Sequence, residues 1–317
     1  MMAASEVTQE ILHSVPLIDG RTLSYAIYGN NDITAPTIFY FYSYPDSHKG
    51  ALIFDEVARK RGIRIIVPDR PGIGHSTFQA RRKITDWPDD VLRLADSPNV
   101  RAERFAVLAT GGGAPYALAC CAKIPRSRLK AAGIVAGVYP SSLGISNYPF
   151  ATQVYRWVAP WIPYLIEQSI ESSYGVAARD TDHPERFEEL LEKRRMVRSA
   201  QEPSASGQKT SEIRSIMIAG MRAAFDGDGA KTMAQDIRLA MSDWGFKLED
   251  VNVEKGRLVI WHRTGDPSKP LEVAEKAHEL LRGSELRVQF TNADIGDASV
   301  IERIGEILDT LSERIEW

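Results

Sequence analysis

The stretch FAVLATGGGAPYALACC, Phe105 to Cys121, decides the fold of this 317-residue chain. Phe105 to Leu108 is apolar without polar alternation, the pattern of a strand buried on both faces of a parallel sheet. Small residues from Ala109 to Ala114 lead into a helical segment with Pro115 in its first turn, where a missing N–H has no partner to lose. A buried strand that turns sharply into a helix is one unit of a layered α/β structure.

The rest of the chain repeats that unit. Thr37 to Tyr42 (TIFYFY), Arg64 to Val67, Ala132 to Ala136, Leu258 to Trp261 and Leu286 to Phe290 are further short β-rich runs. Helical periodicity occupies Ala51 to Lys60, Trp87 to Ala95, Pro115 to Lys123, Leu271 to Leu281 and Val300 to Ile315. Val15 to Asp19 and Leu23 to Tyr28 flank the turn Asp19-Gly20-Arg21 and read as a hairpin. The expected fold class is therefore α/β, a doubly wound and mostly parallel sheet.

The alternation breaks between Ser141 and Ala234. Helical pieces, the aromatics Tyr155, Trp157, Trp161, Tyr164 and Tyr174, and a polar loop from Ala200 to Thr210 fill this stretch. We expect a core of residues 1–140 and 235–317 and a helical cap of residues 141–234, placed over the carboxyl ends of the strands, where open α/β sheets bind ligands.

Composition narrows the partners. Hydrophobic residues make up 44% and charged residues 26%, and the net charge is −3. No basic stripe suits nucleic acid or an anionic surface. The two cysteines, Cys120 and Cys121, are adjacent in an apolar run, which suits buried thiols in a reducing compartment. The N-terminal residues lack a basic region followed by an apolar one, so a cytoplasmic protein without a signal peptide is expected. The longest apolar run, Phe150 to Ile166, is interrupted by Gln153, Arg156, Pro160 and Pro163, so no membrane span is expected. The histidines show no metal-ligand spacing, and His75 and His262 read as structural. The glycine run lacks the Lys-Ser/Thr of a phosphate loop, and Tyr116 stands where a dinucleotide fingerprint has its third glycine. Neither a metal nor another cofactor is expected.

Ala109-Thr110-Gly111-Gly112-Gly113 has the layout of a nucleophile elbow, G-x-S-x-G, with glycine at the serine position. The chain resembles the α/β-hydrolase-fold superfamily, in particular the branch whose elbow reads S-G-G-G-P-Y-A-L-A. Asp19-Gly20-Arg21, Pro68 to Ser76 (PDRPGIGHS), Trp244-Gly245-Phe246 and Trp261-His262 with Asp266 carry the resemblance across residues 14 to 316. It implies that Gly111 replaces the nucleophile, that Asp266 keeps the acid position, and that Asp297 stands where the family has its histidine. The family's His-Gly on the oxyanion loop is replaced by Tyr42-Ser43, followed by Tyr44-Pro45-Asp46. Acyl transfer needs a nucleophile and a base, so this resemblance implies a divergent member that is not an esterase, lipase or peptidase.

The same resemblance brings Asp266 and Asp297 together at the old triad. Two close carboxylates cannot easily both ionise, which would supply a general acid and base; alternatively each caps a helix or loop. The expected catalytic groups are Asp266, Asp297, Tyr42 and His48. The expected substrate-binding residues are Gly111, Thr110, Gly112, Tyr44, Asp46, Tyr155, Trp157, Trp161 and Tyr164. The loop tyrosines either donate to a substrate carbonyl or pack, and the aromatics of the insertion either line an apolar pocket or pack on the core. Glycine at 111 is expected to enlarge the cleft floor. The function implied is a non-hydrolytic isomerase, cyclase or lyase acting on a hydrophobic secondary-metabolite intermediate. The alternative is an inactive pseudohydrolase that binds a ligand or a partner. A homodimer is left open.

Overall fold

Among the described residues, eight short strands carry the fold: β1 (His13–Pro16), β2 (Thr22–Gly29), β3 (Thr37–Phe41), β4 (Arg64–Pro68), β5 (Phe105–Thr110), β6 (Leu129–Val135), β7 (Leu258–Arg263) and β8 (Glu285–Gln289). The central ones, β3 to β7, are built from residues that leave little polar surface on either face. The computed structural model describes residues 12–144, 146–194, 196–197, 208–251, 254–264, 269–289 and 298–315. The strands form one sheet in the order β1-β2-β4-β3-β5-β6-β7-β8. Only the β1–β2 and β2–β4 pairs are antiparallel; Ile38 to Phe41 runs beside Ala106 to Ala109 in parallel register.

Alternation along the strands sends side chains to two cores. Phe39, Phe41, Val107 and Ala109 face one cluster. It is covered by α2 (Trp87–Ala95), α3 (Ala114–Lys123) and α10 (Leu271–Leu280). Ile38, Tyr40, Tyr42 and Leu108 face the other, covered by α1 (Asp55–Lys60) and α11 (Ala298–Ser312). Full burial of such a side chain stabilises by roughly 1.5–3 kcal/mol, and both faces of the central strands contribute. This is the doubly wound sheet expected from the sequence.

Local differences have simple causes. β6 begins at Leu129, three residues before the expected Ala132, because the half-exposed Lys130 conceals its start in the sequence. The helix expected from Ala51 opens as a 3₁₀ segment, His48–Phe54, capped by the Ser47 side chain, and becomes α1 only at Asp55.

Between β6 and β7 lie α4 (Phe150–Val158), α5 (Pro163–Ile170), α6 (Val176–Arg179), α7 (Glu185–Lys193), α8 (Gln208–Ala223) and α9 (Gly229–Met241). Helices α5 to α9 share a third apolar cluster that includes Ile166, Phe187, Phe225 and Ile237. Helix α9 is continuous across residue 234. Residues 200–207 of the expected polar loop lie outside the described residues, and Gln208 already belongs to α8. Among the described residues, no helix is long and apolar enough to cross a membrane.

Candidate functional site

The turn after β5 sits at the carboxyl edge of the central strands. Gly111 has φ +44°, a conformation that side-chain-bearing residues rarely adopt, and it opens a one-turn 3₁₀ segment before α3. The carbonyl of Gly111 accepts from the Val138 N–H at 3.0 Å, tying the turn to the chain beyond β6.

The floor of this turn is filled. A Cβ placed on Gly111 would lie 2.5 Å from Ser43 Oγ and 3.5 Å from Lys269 Nζ. One on Gly112 would run into the ring of Tyr44. The expected enlargement of the cleft is therefore corrected: Ser43 and Tyr44 occupy the space that a side chain would otherwise take. Ser43 is held by its backbone. Its N–H donates to Thr110 Oγ1 at 3.1 Å, its carbonyl accepts from Arg70 Nη2 at 3.2 Å, and its Oγ accepts from the Gly112 N–H at 3.1 Å.

Thr110 points into the core. It is fully buried, and its hydroxyl shares a 3.0 Å hydrogen bond with Tyr40 besides accepting from Ser43. Tyr42 does not point at the cleft as an oxyanion donor either. Strand alternation turns it into the core, where its hydroxyl donates to Asp69 Oδ1 at 2.9 Å and accepts from the Arg70 N–H. Burial, with Asp69 beside it, pushes its phenol well above the ordinary value. His48 is also buried, with Nδ1 2.6 Å from Asp69 Oδ2 and its N–H donating to Asp69 Oδ1 at 2.9 Å. Tyr42 and His48 thus bind one carboxyl group, which also accepts from the Ser24 hydroxyl.

Asp46 accepts from the Ser47 N–H at 2.8 Å, and its carboxyl group lies where a Cβ on either Gly50 or Gly220 would fall. It therefore seats the loop after β3 against α8 instead of lining the elbow. Tyr44 is half-buried, with its ring over Gly112, and burial together with the nearby charge of Asp236 raises its phenol. The aromatics of α4 and α5 part company. Tyr155 lies near enough to Tyr44 for the two phenols to influence each other. Trp157, Trp161 and Tyr164 are 73, 81 and 67% exposed and form no enclosed pocket lining, because Arg156 and Ile166 take the inward positions of their helices. Asp266 and Asp297 lie outside the described residues.

Sequence reasoning missed three groups. Ser43 and Lys269 meet at Gly111 only through the fold, although Ser43 follows directly on the TIFYFY run. The third is a buried charge cluster. Asp236 on α9 accepts from Arg70 Nε at 2.8 Å, from Tyr116 Oη at 2.7 Å and from Arg82. The Arg70 guanidinium also donates to the Tyr42 carbonyl at 2.6 Å and lies 4.4 Å from the Tyr42 ring centre. Arg70 belongs to the PDRPGIGHS motif, which was the available signal. Burial opposes ionisation of Asp236, but the neighbouring Arg82 and Arg70 outweigh it and hold its carboxyl below the ordinary value.

The cysteines offer no nucleophile. Burial pushes the Cys120 thiol well up and that of Cys121 to about 12. Among the described residues, no group of three His, Cys, Asp or Glu side chains is arranged to hold a metal ion.

Solved structures share this fold. A bromoperoxidase from Bacillus anthracis superposes with a TM-score of 0.62 at 14% identity, over 96% of this chain and 100% of its own. An α/β-hydrolase fold protein from Nakamurella multipartita gives 0.60 at 18% identity, over 95% and 99%. The chain has the α/β-hydrolase fold. An esterase from Exiguobacterium antarcticum gives 0.61 at 15% identity, over 97% and 100%. At such identities the likeness establishes the fold alone. Named proteins sharing this fold are mostly hydrolases. No family model and no curated protein sequence matches the chain.

Proposed function

We propose that this protein is a non-hydrolytic enzyme of the α/β-hydrolase fold, an isomerase, cyclase or lyase for a hydrophobic organic substrate, with α4 to α9 serving as its cap. One observation carries the reading: the residue at the apex of the strand-to-helix turn is glycine, and the neighbours nearest its missing side chain are a serine hydroxyl and a lysine ammonium, not an imidazole. Without a nucleophile–imidazole pair, the fold retains a means of holding a substrate and moving protons. Asp266 and Asp297 are our candidates for the acid and base. Tyr44, Gly111 and Gly112 are our candidates for substrate contact, with Tyr155 nearby.

A second reading, ligand or partner binding without turnover, is favoured by one observation. The hydroxyls of Tyr42 and Thr110 and the imidazole of His48 are all engaged in hydrogen bonds within the protein. Turnover of a cognate substrate that collapses in Asp266→Asn with Asp297→Asn supports the first reading, whereas ligand affinity that survives this change without any turnover supports the second.

The hydrolytic alternative is tested directly. Purified protein is expected not to hydrolyse p-nitrophenyl esters, and a fluorophosphonate is expected not to label Ser43. Ester turnover at rates usual for esterases, or Lys269-dependent labelling of Ser43, would defeat the reading. Gly111→Ser is expected to leave the protein inactive on esters, because the new side chain meets Ser43 Oγ and Lys269 Nζ and has no imidazole among its nearest neighbours to serve as base.

A further inference from the structure

We propose that Arg156 on α4 binds the carboxylate of the ligand, so that the hydrophobic substrate is an organic acid. The inference rests on the proposed role of the insertion as a cap and assigns that site a ligand class.

A buried cation needs a counter-ion or a full set of hydrogen bonds to replace its water. The neighbouring cluster obeys this rule, since the buried Arg70 and Arg82 share Asp236. Arg156 departs from it. Its residue is 6% exposed, and among the described residues no carboxylate pairs with it. Nη2 donates to the Tyr139 carbonyl at 3.0 Å and to Ser141 Oγ at 3.1 Å. Nε is sealed from solvent without an acceptor. Among the described residues, Nη1 has no hydrogen-bond partner. The Tyr148 ring, its centre 4.8 Å from Cζ, attracts the cation without neutralising it.

Arg64 is also buried and bound only to carbonyls, those of Val100 and Asn99. Position separates the two. Arg64 opens β4, at the end of the sheet away from the Gly111 turn, and both of its Nη groups are engaged. Arg156 lies at the ligand edge. Its charge acts on the Tyr44 phenol, as does Tyr155 beside it on α4, and the Tyr44 ring covers Gly112. An acid held on this guanidinium therefore has the Tyr44 and Tyr155 rings nearby for its apolar body. The Tyr139 carbonyl and Ser141 hold the planar fork in place before a ligand arrives, which lowers the entropy lost on binding.

The probes are 3-phenylpropionate and its uncharged amide, which differ only in the group offered to Arg156. In calorimetric titrations of the full chain, the acid should bind about tenfold or more tighter than the amide. Arg156→Gln, shown to be folded by its unfolding curve, should abolish this preference, and Arg156→Lys, which keeps the charge, should retain part of it. The unaltered protein provides a second reading should Arg156→Gln unfold. With isotope-labelled arginine, the Nε–H resonance missing from Arg156→Lys should shift saturably with the acid and not with the amide. Equal binding of acid and amide, a preference that survives in folded Arg156→Gln, a preference lost equally in both variants, or an unmoved Arg156 resonance overturns the proposal. Ester hydrolysis by the unaltered protein would remove the non-hydrolytic reading while leaving the Arg156-dependent preference intact, so the two failures are distinguishable.

Discussion

The helices between β6 and β7 present two contrasting faces. On α9, the inner face carries Thr232, Gln235 and Asp236, all buried. Asp236 binds two guanidinium groups from the loop beyond β4, and Gln235 donates to the Gln79 and Ala80 carbonyls at 2.9 Å. On α4, α5 and the 3₁₀ turn Ala159–Trp161 between them, the outer face carries Phe150, Val154, Trp157, Trp161, Tyr164 and Leu165, all exposed. The polar face is the buried one and the aromatic face is in water. Docking of the insertion onto the sheet therefore depends here on paired charges as much as on apolar area, and removing one partner of a buried pair strands the other.

The largest effect is expected at Asp236. Asp236→Asn leaves Arg70 and Arg82 with a neutral partner and should lower stability by about 3–5 kcal/mol, read by urea unfolding. The pH dependence has a definite sign. The folded-state carboxyl of Asp236 is held below its ordinary value, so the unfolded chain binds this proton more readily. Its contribution to stability is complete above the unfolded carboxylate value and is lost as pH falls through the lowered folded value. Asp236→Asn should therefore flatten the acid limb of the stability curve. An equally steep limb in that variant would place the acid sensitivity elsewhere.

A smaller loss is expected in the loop after β3. Tyr42→Phe removes one of the donors to Asp69 Oδ1 while the His48 N–H remains on the same oxygen. The expected loss is about 1–3 kcal/mol, checked by thermal unfolding. The same change leaves the Arg70 N–H without the Tyr42 oxygen as acceptor. An unchanged melting temperature would show that the Tyr42 hydroxyl contributes nothing to the stability of this loop.

Much of the fold was legible because its signals are local. Phe105 to Leu108 and the small residues after it declare a strand and a tight turn without reference to any partner. The site was less legible because its contacts are long-range. Tyr42 looked like a cleft residue by its position at the end of TIFYFY, yet its partner is Asp69, and Ser43, one residue on, reaches Gly111. Lys269 and Gly111 are far apart in sequence, and no periodicity joins them. The aromatics of α4 and α5 misled for a related reason: their spacing marks a helix face but not which face another element covers.

The smallest stability effect is therefore expected on that outer face. Trp157 and Trp161 are 73 and 81% exposed in the isolated chain, so little of their surface leaves water on folding and little can be lost by shortening them. Trp157→Ser with Trp161→Ser should leave the unfolding free energy within about 0.5 kcal/mol per site, while raising solubility by breaking an apolar patch. The measurement is made at low and at high protein concentration. A large loss confined to the concentrated sample would mean that a second copy of the chain covers this face in solution. The contrast between the two faces would then belong to the isolated chain alone, since both would be buried in the assembly.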